Sequence, residues 1–200
     1  MKTASRWSAI VVAIFFSAAI SVAAVAQTQP QLTITQISSD PFTDNDAQHA
    51  TEVEPDAFAY GNTIVSAFQV GRIYDGGGSD IGFSTSTDGG KTWTSGYLPG
   101  LTVNYKNGTF TAASDAAVAY DAAHGVWLIC TLPLGNNDVV AVSPSPDGLT
   151  WGKPVLVTNI NADKNWIACD NTSTSPYLRA LLRGVGQSRQ RRLGLHEHLH

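Results

Sequence analysis

The sequence is short of the residues that most often announce a function. Two cysteines, Cys130 and Cys169, and a single methionine occur in 200 residues. That rules out a disulfide-dense scaffold. Between residues 27 and 177 there are five basic residues (Arg72, Lys91, Lys106, Lys153, Lys164) against fifteen acidic ones, a net charge of −10. Such a body repels phosphate, so nucleic acid and anionic membrane surfaces are excluded as partners. No helical periodicity persists after residue 26. Only one apolar run is long, and it lies at the N-terminus.

That run has the form of a secretory signal. Lys2 and Arg6 precede an apolar stretch from Ala9 to Ala23, and Ala24-Val25-Ala26 is a small-x-small cleavage site. Residues 1–26 are therefore expected to be removed, and the mature chain to be secreted or periplasmic, with no membrane insertion. Within the mature chain a disulfide between Cys130 and Cys169 is permitted, although Cys130 lies in an apolar run and suits a buried small side chain equally.

What the sequence does have is a repeat. Ser86-Thr87-Asp88-Gly89-Gly90-Lys91-Thr92-Trp93 returns in shortened form as Ser145-Pro146-Asp147-Gly148-Leu149-Thr150-Trp151. Each copy follows a short apolar run, DIGFST or DVVAVSP. An Asp-Gly step after such a run predicts a hairpin, because Gly accepts positive φ and Asp can accept from N–H groups just ahead. The flanks repeat too. AFAYGNTIVSAF, from Ala57 to Phe68, is similar to AVAYDAAHGVWLICTL, from Ala117 to Leu132. Tyr60 to Tyr120 is 60 residues, Asp80 to Asp138 is 58, and Trp93 to Trp151 is 58. Fixed spacing of strand-rich units predicts a repeat architecture, with blades of roughly 40–45 residues enlarged by insertions. Two similar hairpins in a two-sheet sandwich are the alternative.

The pattern S-x-D-x-G-x-T-W resembles the Asp-box, or BNR repeat, of sialidase-type β-propellers. The defining positions are Ser86, Asp88, Gly90, Thr92 and Trp93, then Ser145, Asp147, Gly148, Thr150 and Trp151. The resemblance implies an all-β fold, a β-propeller of which two blades and the start of a third are present. Residues 27–56 then form a strand and loop leading in, with Gln31–Ile37 the strand, and residues 57–177 form the partial propeller. Asp40, Asp44 and Asp46 fit no EF-hand spacing and read as a solvated loop. Asn107-Gly108-Thr109 and Asn171-Thr172-Ser173 are glycosylation sequons.

The composition changes after Tyr177. Residues 178–200 hold five of seven arginines and three of five histidines, and no aromatic residue. A basic tail, a metal site at His196, His198 and His200, and a frameshift near codon 178 are the three readings. The last is preferred, because a shifted frame permits a β-rich string ending like the run before the first box.

The resemblance also implies secreted glycoside hydrolysis, of exo-α-sialidase type, with no cofactor and a glycan or glycoconjugate as partner. The family clamps its substrate carboxylate with three arginines and uses a Tyr–Glu nucleophile pair and an Asp acid/base; guanidinium meets carboxylate bidentately. Carried over, Arg72 in FQVGR takes one arginine position and Asp75 the acid/base, with Asp80 the alternative. The family's Phe-Arg-Ile-Pro motif falls at Glu52-Val53-Glu54-Pro55, where Glu54 reverses the arginine's charge. The catalytic set is thus incomplete here, and this chain is expected to be inactive alone. A non-catalytic propeller that binds a glycan or a protein is the alternative.

Overall fold

A computed structural model describes residues 33–135, 139–158, 162–175 and 181–187. Residues 1–26, expected to be a signal, Asp138 and the histidines of the tail lie outside the described residues. Those described hold ten strands and no helix.

The first four strands are β1 (Ala47–Tyr60), β2 (Thr63–Ile73), β3 (Gly78–Ser86) and β4 (Thr94–Tyr97). They pair antiparallel in chain order, as one up-and-down sheet. The next four, β5 (Ala112–Asp121), β6 (Val126–Leu134), β7 (Val140–Ser145) and β8 (Val155–Thr158), repeat the arrangement. A single pair, Gly78 with Ala113, bridges the two sheets. Strands β9 (Ala162–Cys169) and β10 (Leu181–Gln187) pair antiparallel and open a third unit. Two four-stranded blades and half of a third make an incomplete β-propeller.

Side-chain alternation explains how the blades stack. From blade 1, Val65, Ala67, Ile81 and Phe83 meet Val118, Trp127, Ile129 and Trp151 of blade 2 in one buried cluster. The opposite face of blade 2, with Leu128, Cys130, Leu132 and Val140, meets Ala162 and Ile167 of β9 in a second. Strand β6 feeds both clusters, which is why its sequence is apolar at every position but Thr131.

Each box closes the turn between the third and fourth strands of its blade. Asp88 Oδ1 accepts from the N–H of Lys91 and of Thr92, both at 2.9 Å, and Oδ2 accepts from Thr92 Oγ1 at 2.7 Å. Asp147 does the same with Leu149 N, Thr150 N and Thr150 Oγ1. Ser86 Oγ accepts from Gly90 N, and Ser145 Oγ from Gly148 N. Gly90 at φ 90° and Gly148 at φ 74° need the left-handed freedom that only glycine has cheaply.

Two readings are corrected. Residues 33–37 form no strand; the Ile37 carbonyl accepts from Ser84 Oγ at 2.8 Å instead of a ladder N–H. The 60-residue match of AFAY with AVAY is one residue out of step with the ladders. Val53 pairs with Gln69, and Ser114 with Leu132. The offset in the innermost strands is therefore 61, which places Glu54 with Asp115. In the loop before β1, Asp40 accepts from Phe42 N and Thr51 N, and Asp44 from Ser79 Oγ. The side-chain amide of Asn171 is held inside the fold, donating to the Tyr120 carbonyl at 2.8 Å and accepting from Ala122 N at 2.9 Å.

Candidate functional site

The innermost strand of each complete blade carries the same irregularity. In β1 the pairing steps from Val53–Gln69 to Asp56–Ala67, so Glu54 and Pro55 together face one residue of β2. In β5 it steps from Ser114–Leu132 to Ala117–Cys130, so Asp115 and Ala116 face one residue of β6. These are β-bulges, which re-aim side chains at sheet rims. Glu54 and Asp115 both sit at φ 52°, a left-handed conformation that costs a non-glycine residue about 1–3 kcal/mol.

The two bulges line one cleft in two compartments. The narrower, of about 360 Å³, is walled by Glu54, Pro55, Asp56, Asp115, Asn165 and Trp166, among others. The wider, of about 620 Å³, runs from Glu54 and Asp115 to the loop Asp75-Gly76-Gly77 and to Asp163. Both volumes are those of small-ligand sites. Glu54, Asp115 and Lys164 border both compartments.

A polar network fixes the walls. Gln69 Nε2 donates to Glu54 Oε2 at 2.9 Å and lies 3.2 Å from Ser114 Oγ. Ser114 Oγ in turn lies 3.2 Å from Asp115 Oδ1. Lys164 Nζ donates to the same Oδ1 at 2.9 Å, and Asn165 Nδ2 donates to the Asp115 carbonyl at 2.9 Å. The hydrogen bond from Lys164 to Asp115 holds the lysine above its ordinary pKa, with Glu54 and Asp163 adding attraction. Lys164 is thus a committed cation, with Asp115, Glu54 and Asp163 as its carboxylate neighbours. Trp166 is 56% exposed at the rim, an apolar face open to a ligand.

The predicted residues separate. Asp75 reaches the cleft, in the turn of two glycines between β2 and β3. Arg72 does not line it; Nη1 donates to Gln48 Oε1 at 3.3 Å beside β1. Asp80 is buried in β3, remote from solvent, where burial pushes its pKa up to about 8 against the hydrogen bond from Ile81 N. The box residues brace their turns, away from the cleft. Sequence reasoning missed Asp115, Lys164, Asn165 and Trp166, which no motif marks. Among the described residues no group of three or more His, Cys, Asp or Glu side chains is placed to hold a metal ion.

No protein-family model and no curated protein sequence matches this chain. Solved structures similar to it include a Hadza microbial sialidase, 18% identical over 58% of this chain and 30% of that one, with a TM-score of 0.45. A Penicillium chrysogenum α-L-arabinanase solved with arabinobiose is 11% identical over 68% and 40%, with a TM-score of 0.46. The catalytic domain of a Coprinopsis cinerea GH62 α-L-arabinofuranosidase is 17% identical over 66% and 43%, with a TM-score of 0.43. This chain spans less than half the length of each. The propeller assignment rests on the strand pairing itself.

Proposed function

We propose that this chain is the N-terminal part of an exported, sialidase-like propeller of the Asp-box type, and that its axial cleft takes a glycan. The observation that carries the proposal is the company Trp166 keeps. A half-open indole stands beside Glu54, Asp56 and Asp115 in one small compartment. Sugars present the matching chemistry, apolar C–H faces for an aromatic ring and hydroxyls for carboxylate acceptors.

The chain alone holds part of a catalytic set. Asp75 lines the cleft and is the residue we assign the acid/base role, whereas Arg72, the only arginine between residues 27 and 177, points elsewhere. A carboxylate clamp of arginines has no counterpart among the described cleft residues. We therefore assign glycan binding to this chain and hydrolysis to a longer parent that supplies further blades. The purified chain should release no product from a fluorogenic sialoside. Turnover of that substrate, lost on Asp75→Asn, would overturn the assignment.

A second reading is a propeller that binds glycan and never cleaves it. Glu54 favours it, since it puts a negative charge where a sialidase places an arginine. The in-frame parent distinguishes the two: sialoside turnover supports the first, and glycan binding with no hydrolysis supports the second.

A further inference from the structure

The cleft is unbalanced in charge. Among the described residues that line it, Glu54, Asp56, Asp75, Asp115 and Asp163 supply five carboxyl groups and Lys164 one ammonium, a formal net charge of −4. A concave site of one sign focuses its field, drawing in a cation and repelling a carboxylate. The sign alone names no ligand, because an acidic rim can be merely solvated. The hydrogen bonds of the walls say more.

The donors of the walls are already engaged. Lys164 Nζ and Ser114 Oγ both donate to Asp115 Oδ1, at 2.9 and 3.2 Å, and Asn165 Nδ2 donates to the Asp115 carbonyl. Thr111 Oγ1 donates to the Leu134 carbonyl at 3.2 Å. The acceptors are not all engaged. The Asp115 side chain is only 9% exposed, yet its Oδ2 accepts from no described residue. Glu54 accepts on Oε2 alone. Asn165, 2% exposed, walls the narrower compartment, and its buried Oδ1 has no hydrogen-bond partner. A buried acceptor without a donor is costly, so the compartment favours a ligand that donates.

Trp166 completes the set. Its exposed indole attracts a cation as well as the C–H face of a sugar. An ammonium group meets all three features, with positive charge for the carboxylates, donors for the open acceptors and a cation for the ring. A hydroxyl brings a donor without the charge. An N-acetyl group adds a carbonyl that needs a donor of its own, and a carboxylate has the wrong sign. A bare metal ion is the other cation to weigh, but among the described residues no group of three or more His, Cys, Asp or Glu is placed to hold one.

We propose that the cleft selects a glycan with a free amine, an unacetylated amino sugar whose ammonium sits among Glu54, Asp115 and Asn165 beside Trp166. The inference rests on the reading of the cleft as a glycan site, and it concerns the part of the glycan that this chain holds.

Calorimetric titration of the full chain with three probes tests it. They are a glucosamine trisaccharide, its N-acetylated counterpart and a sialylated trisaccharide, at about pH 6, where an amine of this kind is protonated. The amino trisaccharide should bind about tenfold or more tightly than the N-acetylated one, and the sialylated one most weakly. Added salt should shrink that preference. Glu54→Gln keeps the size of the side chain and removes its charge, and should reduce the preference about threefold. Asp163→Asn, at an exposed position, should act in the same direction. Thermal unfolding verifies that each variant is folded. An N-acetylated trisaccharide bound as tightly as the amino one would overturn the inference and leave the glycan site standing. So would a preference unchanged in both variants. A chain that binds none of the three would overturn the inference and the glycan reading together.

Discussion

Glu54 and Asp115 occupy the same place in successive repeats, each at φ 52° on the bulge of an innermost strand. One strained position is an accident of packing; the same strain repeated at the same bulge is a device. It turns two carboxylates out of their sheets and into one cleft. The cost lies in the backbone and the gain lies in the site.

That division can be read from two substitutions at one residue. Glu54→Ala loses the hydrogen bond from Gln69 and keeps the left-handed strain. Glu54→Gly loses the same bond and relieves the strain. The glycine variant should therefore be the more stable by about 1 kcal/mol, the reverse of the usual order inside a strand. Urea unfolding of the two variants checks the sign.

The pH dependence should show two opposed contributions. At Asp88 the N–H and hydroxyl of Thr92, with Ser86 and Lys91, hold the carboxyl well below the ordinary range. At Asp147 burial resists ionisation, but Thr150, Leu149 and Ser145 outweigh it and the pKa is again lowered. Depressed carboxyls stabilise fully above the unfolded value of about 4 and lose that contribution as pH falls through the folded one. The melting temperature should drop as pH is taken below about 4, and Asp88→Asn should blunt the drop.

Asp80 works in the other sense. Its pKa is raised to about 8 by burial, and its Oδ2 has no hydrogen-bond partner among the described residues. Between the unfolded value and 8 the native state holds a proton that the unfolded chain has released. Stability from this group is full below about 4 and falls as pH rises towards 8. Asp80→Asn should raise the melting temperature at pH 8 more than at pH 5 and flatten that slope.

The two box tryptophans should differ although their motifs match. Trp151 is 7% exposed between the blades, so Trp151→Ala should cost about 3–5 kcal/mol. Trp93 is half-buried on its own turn, and Trp93→Ala should cost less than about half as much. Equal losses in denaturant titrations would contradict the stacking of blade 2 on blade 1.

The contrast between box and cleft explains what the sequence disclosed. A box is local: Ser, Asp, Gly and Thr bond one another within five residues, so the pattern is contiguous and legible. The spacing of the two boxes then set out the blades. The cleft is not local. It is made by bulges, which insert a residue without any signature. Asp115 carries no local mark in the sequence, and neither do Lys164, Asn165 and Trp166. Asp75 was singled out by the resemblance, from its place between Arg72 and the first box, and it lines the cleft.

The central claim is that the cleft binds a glycan on Trp166, and a titration followed at the indole N–H signals of the ¹⁵N-labelled chain tests it most directly. Oligosaccharides with neutral and with sialylated ends would be added in turn, with Trp166→Ala identifying the signal. The account predicts that at least one glycan shifts the Trp166 signal, and that Asp115→Asn weakens that binding at least tenfold, about 1.4 kcal/mol. A Trp166 signal unmoved by every glycan, or binding untouched by Asp115→Asn, would contradict it.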